Sequence, residues 1–152
     1  MAPEFMVTRI TTSPNPQPGP VVCDMTTAPD TPQQRMAEYA RLFEHALTRS
    51  ERTSDAVIWR FIARAGVHAW VRDLADREAD CCPFLAYTVT EHDGEVSYQI
   101  AGDNDPMIQT ILDEIHQLPV HIGAGLPGLL QRLDTAGLTI ETSDDGKTMT
   151  TS

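Results

Sequence analysis

Three cysteines and one glutamate are the residues of this sequence best placed to do chemistry. Cys81 and Cys82 are adjacent in the stretch DREADCCPFL, Glu78 stands three and four positions ahead of them, and Cys23 lies far upstream in VVCDMT. A disulfide between neighbouring cysteines is disfavoured, because their α-carbons are about 3.8 Å apart and a bridge needs at least about 4.4 Å. A nucleophilic or redox thiol needs a lowered pKa. The C-terminal end of a helix is the wrong pole for that, and Glu78 and Asp80 add negative charge that Arg77 offsets only in part. A soft ion displaces the protons of its own ligands, so metal binding is the use that these electrostatics disfavour least. With Cys23 as a third sulfur the set suits a trigonal thiophilic ion, Hg(II), As(III) or Cu(I), or Zn(II) completed by Glu78, a histidine or water. Two alternatives use the same residues differently. One is a thiol-dependent enzyme, organomercurial-cleaving or redox, in which Glu78 or Asp80 moves a proton; the other is an interaction module whose cysteines are small core residues.

Glu78, Cys81 and Cys82 share a face only if one helix carries them to its last turn. From Gly66 the residues Val67, Trp70, Val71, Leu74 and Glu78 follow a helical period into Cys81, and Pro83 stops it by excluding the α conformation at Cys82. After this corner Leu85, Tyr87 and Val89 alternate with polar residues, as do Val96, Tyr98 and Ile100. A two-residue Asp93-Gly94 turn then pairs Val89 with Tyr98 and Tyr87 with Ile100. Upstream, Thr31 with Pro32 and Gln34 forms a capping box for a helix carrying Met36, Tyr39, Ala40, Phe43, Ala46 and Leu47. Residues 56–63, AVIWRFIA, read as a strand. Asp105-Pro106 opens a third helix, and Leu126, Leu129, Leu130 and Leu133 mark a shorter one closing at Gly137. A last strand or hairpin around 138–150 would turn at Asp145-Gly146. The expected fold is α+β, a two-layer sandwich with an antiparallel sheet and helices packed on one face. Residues 1–5, MAPEF, read as a vector-derived leader, and 1–20 as a whole as a disordered leader and proline-rich tail. A single domain then spans 21–142, with 143–152 a flexible C-terminal tail.

Other signals are weaker. Gly123-Ala124-Gly125-Leu126-Pro127-Gly128 matches GxGxxG, but too little chain follows for a βαβ unit and Pro127 removes a phosphate-binding amide, so no nucleotide is expected. His92 and His68 read as solvated; His45, His116 and His121 remain candidate ligands; Trp59 and Trp70 read as core. Asp and Glu number 22 against 11 Lys and Arg, a net charge of −11. Such a surface repels phosphates and anionic lipid, so neither nucleic acid nor a membrane is an expected partner. The apolar stretches fall short of the roughly 20 residues of a spanning helix, and an odd number of cysteines fits a reducing compartment, so the reading is cytoplasmic. The partners left are a metal or metalloid ion and a second copy in a homodimer.

Cys23-Asp24-Met25-Thr26 followed by a helix, then Glu78-x-x-Cys81-Cys82-Pro83-Phe84 running into an alternating strand, resembles a group of small bacterial proteins with a lone early cysteine and an E-x-x-C-C-x-F motif. A similar segment is attached to mercury-resistance-type (MerR-type) regulators, whose sensor regions bind thiophilic metals. The resemblance covers roughly residues 21–117 and lacks a DNA-binding head. It implies a metal or metalloid binding module at Cys23, Cys81, Cys82 and Glu78.

Overall fold

The computed structural model describes residues 6–11 and 21–152. Eight strands and four helices follow in the order β1 (Met6–Thr11), β2 (Val21–Asp24), α1 (Pro32–Ala46), β3 (Leu47–Arg52), β4 (Ala56–Ile62), α2 (Val67–Cys81), β5 (Ala86–His92), β6 (Glu95–Ala101), α3 (Pro106–His121), α4 (Gly125–Thr135), β7 (Ile140–Thr142) and β8 (Thr148–Thr151). The fold is α+β. A five-stranded antiparallel sheet in the order β1-β5-β6-β4-β3 forms one layer, and a three-stranded sheet, β2-β8-β7, stands beside it.

Alternation sorts the large sheet into two faces. Val57, Trp59, Phe61, Tyr87, Val89, Val96, Tyr98 and Ile100 are buried on one face, while Arg60, Thr88, Thr90, Ser97 and Gln99 stay half-exposed on the other. The β5–β6 hairpin has the expected register, Val89 opposite Tyr98 and Tyr87 opposite Ile100, around Asp93 (φ 50°) and Gly94 (φ 78°). Positive φ at both central residues is what a type I′ turn requires, and the Asp-Gly pair supplies it cheaply. Helices cover the apolar face. Tyr39 and Phe43 of α1 pack ring to ring on Trp59, Ser50 of β3 reaches His116 of α3, and Leu74 of α2 is fully buried in the same core.

The expected helix boundaries hold at their caps. Thr31 Oγ1 accepts from the Gln34 amide at 3.1 Å while Gln34 Oε1 accepts from the Thr31 amide at 2.9 Å, and Asp105 caps α3 ahead of Pro106. Three expectations are corrected. Leu47 ends no helix; it begins β3, a polar edge strand whose LTRSER sequence lacks clean alternation and which pairs with β4 through a bulge between Leu47 and Arg49. Met6–Thr11, assigned by sequence to the disordered 1–20 segment, pairs antiparallel with β5, because β5 needs a neighbour on its open edge; residues 1–5 and 12–20 lie outside the described residues. The 143–152 segment is not a free tail. Its Thr148–Thr151 stretch is the central strand of the small sheet, between β2 and β7, and the hairpin turns at Asp145-Gly146 with Gly146 at φ 74°.

Candidate metal centre

The corner after α2 is made by Pro83. Cys81 is the last helical residue and Cys82 leaves the helix at φ −124°, ψ 70°, its amide still donating to the Glu78 carbonyl at 2.7 Å. That one dihedral change turns two consecutive side chains toward the same point, which a continuing helix would have spread about 100° apart. The Sγ atoms of Cys81 and Cys82 stand 3.8 Å apart. Glu78, one turn earlier, completes a group whose three ligand atoms all lie within 4.8 Å of one another.

Cys23 arrives from the other sheet. Its strand β2 pairs with β8, Cys23 opposite Met149, and the Met25 amide donates to the Lys147 carbonyl at 2.7 Å, which fixes the strand's end. This pairing holds Cys23 Sγ 2.6 Å from Cys82 Sγ. All four sequence-derived candidates therefore meet in one place, Cys23 reaching the group through Cys82. Met25, Ala28 and Phe84 pack around the sulfurs in a small apolar cluster, with Cys81 3% and Cys82 8% exposed.

The electrostatics depart from the sequence reading through Arg35. It lies on the buried stripe of α1 with Tyr39, Leu42 and Ala46, at 4% exposure, and its Nη1 donates to Glu78 Oε1 at 2.8 Å and to Cys81 Sγ at 3.2 Å. Its other nitrogens donate to both Asp30 oxygens, at 2.7 and 2.9 Å. Burial works against this guanidinium, and Asp30, Glu78 and Cys81 outweigh it, so it stays charged. Helix position and neighbouring carboxylates lead to the expectation that a thiol at this helix end titrates high. Cys82 does: its hydrogen bonds with Cys23 and Cys81, together with burial, hold its proton well above the ordinary thiol range. Cys81 does not; the hydrogen bond from Cys82, with Arg35 beside it, brings it below that range despite burial and the Glu78 charge. Burial pushes the Glu78 carboxyl upward, and Arg35 pulls back only in part. Of the adjacent thiols, Cys81 is thus the readier to lose its proton and Cys82 the readier to keep it.

Behind Arg35 stands a second arginine. Arg77 pairs with Asp30 at 2.9 Å, Glu38 at 2.7 Å and Asp73 at 2.7 Å, and Trp70 Nε1 donates to Glu38 at 2.7 Å. Arg77 therefore acts on the site through Asp30 rather than directly on Cys81. The candidate histidines lie elsewhere: His116 bonds to Ser50, His45 stacks near Trp70, and the Glu78–Cys81–Cys82 group contains none of them. The GxGxxG run occupies a 3-10 turn and the first turn of α4 and follows a helix rather than a strand.

Sequence reasoning missed Arg35 and Asp30. The signal was present: Arg35 breaks an otherwise apolar i, i+4, i+7, i+11 stripe, where a charge is retained only with a partner.

No helix of the described residues is long and apolar enough to cross a membrane. Comparison of the chain with protein-family models, with curated proteins and with solved structures returned no match.

Proposed function

We propose that this chain binds a thiophilic metal or metalloid ion, Zn(II), Cu(I), Hg(II) or As(III), through Cys81 and Cys82 with Cys23 as third sulfur and Glu78 beside them, in a sensing, buffering or delivery role. The observation that carries the reading is the 3.8 Å between the Cys81 and Cys82 sulfurs. Two sulfurs bonded at about 2.3 Å to one tetrahedral ion stand about 3.8 Å apart, so this pair is already spaced for a shared ion. Cys23 is closer to Cys82 than two ligands of one ion sit and stands outside the Glu78–Cys81–Cys82 group, so joining as third sulfur takes a side-chain movement away from Cys82 and toward Cys81. The donor set fits the class. Three sulfurs and one carboxylate in an apolar shell favour soft ions over Mg(II) or Ca(II), which seek oxygen. The resemblance to the metal-sensing extension of MerR-type regulators supports the same class.

One observation favours a second reading. Arg35 beside a thiol of lowered pKa is the arrangement of an activated nucleophile, so the alternative is a thiol-dependent enzyme at the same cluster. Titration of reduced, metal-free protein with each ion against a competing chelator separates the two. Binding predicts one ion per chain, released protons, and an affinity falling at least about a hundredfold in Cys81→Ser and Cys82→Ser but unchanged in His92→Ala. Equal affinities across those variants would remove the metal reading.

A further inference from the structure

The sulfur cluster is one end of a cavity of about 190 Å³. Its polar end holds Cys23, Cys81, Cys82, Glu78 and Arg35; its other walls are mainly apolar, Ile111, Ile115 and Leu118 of α3 and Leu126, Leu129 and Leu130 of α4, with Glu114 of α3, paired to Arg132, the charged group among them. Trp59 also lines it, and its indole N–H is buried with no acceptor among the described residues. A bare ion uses only the polar end. The apolar remainder opens toward solvent, and covering it with an apolar group removes that surface from water. A cavity of about 150 Å³ lined by aliphatic side chains is enough to take up benzene.

We infer, resting on the metal reading above, that the ligand is organo-substituted: a thiophilic metal or metalloid centre held by the cysteines, carrying an aryl or short alkyl group that fills the cavity between α3 and α4. For a trivalent arsenical R–As(OH)2 the capture balances without any oxidant or reductant. Two As–O bonds break, two As–S bonds form to Cys81 and Cys82, and the two thiol protons leave with the hydroxyls as two water molecules. The As–R bond is untouched, and R points away from the sulfurs into the apolar end.

The test compares methylarsonous and phenylarsonous acids, which share the arsenic chemistry and differ in R. Each is titrated into reduced protein and, as the reference for intrinsic thiol affinity, into dithiothreitol. The expected result is a phenyl-over-methyl preference at least about tenfold larger for the protein than for dithiothreitol, the scale of burying several ring carbons. Ile115→Phe and, separately, Leu129→Phe fill the cavity from two helices, and each is expected to abolish that excess while methyl binding stays within about threefold. A protein preference equal to that of dithiothreitol, with methyl binding intact and cysteine-dependent, would overturn this inference and leave the metal reading standing. Methyl binding no tighter in the wild type than in Cys81→Ser would overturn both. The wild-type comparison needs no variant to fold.

Discussion

Arg35 Nη1 lies 3.2 Å from Cys81 Sγ although 46 residues separate them, and the same nitrogen holds Glu78 at 2.8 Å. One buried cation therefore holds the carboxylate and adds to the Cys82 hydrogen bond in lowering the Cys81 pKa. Arg35→Met should remove both effects. Leaving Glu78 without its cation, and Asp30 with Arg77 alone, is expected to cost about 1–3 kcal/mol, read from urea unfolding. Alkylation of Cys81 at neutral pH should slow in whatever fraction stays folded, followed by mass spectrometry. Unchanged alkylation would mean that Cys82 alone lowers the Cys81 pKa.

Acid should weaken the fold through Asp30. Hydrogen bonds from Arg35 hold its carboxyl below its ordinary 3.8 against the effect of burial, so around that pH the unfolded chain binds a proton that the folded chain does not. Stability then rises with pH: the contribution is complete above about 5 and is lost as pH falls through the folded value. Glu78 acts in the opposite sense, since its folded value is raised by burial; the stability it contributes is present at low pH and fades as pH rises through that value. Urea midpoints between pH 5 and 3 should fall in the wild type with a shallower slope in Asp30→Asn. An identical slope in both would assign acid sensitivity to other carboxylates.

The C-terminal hairpin should act on the metal site without supplying a ligand to it. Among the described residues β8 is the only strand paired with β2, and its pairing places Cys23. Removing residues 143–152 is expected to lower soft-ion affinity to that of Cys23→Ser and no further, since Cys81 and Cys82 ride on α2. Wild-type affinity in the shortened chain would show that β2 is held by other contacts.

Packing of α3 against the large sheet depends on Gly102. A methyl group there would lie 2.4 Å from Ile108 Cγ2 and 3.0 Å from Leu85 Cδ2, so Gly102→Ala should destabilise by about 1–3 kcal/mol. Adding Ile108→Ala should recover part of that loss relative to Ile108→Ala alone, a non-additivity that a double-mutant cycle measures. Strict additivity would place the clash elsewhere.

What the sequence made legible is what local rules control. Thr31-Pro32-Gln34, Asp105-Pro106 and Asp93-Gly94 each fix a backbone feature within a few residues, and alternation around the last of these gave the hairpin's register. Pro83 placed the helix end that converges Cys81 and Cys82. The late hairpin was legible from Asp145-Gly146, but the edge strand Leu47–Arg52 and the pairing of Thr148–Thr151 with β2 were not, because they depend on partners distant in sequence rather than on their own polar residues. The same holds for the site. Spacing brought Glu78 to Cys81 and Cys82, whereas the Cys23 contact depends on a second sheet, and the lowered Cys81 pKa on the Cys82 hydrogen bond with an arginine from another helix adding to it.

The central claim is that Cys81 and Cys82 ligate one ion. X-ray absorption at the metal edge of the Zn(II)-loaded protein reads this directly. Shared ligation gives at least two sulfur scatterers at about 2.3 Å, with one lost in Cys81→Ser and one in Cys82→Ser. A first shell of nitrogen and oxygen alone at about 2.0–2.2 Å, or a sulfur count indifferent to both substitutions, would contradict it.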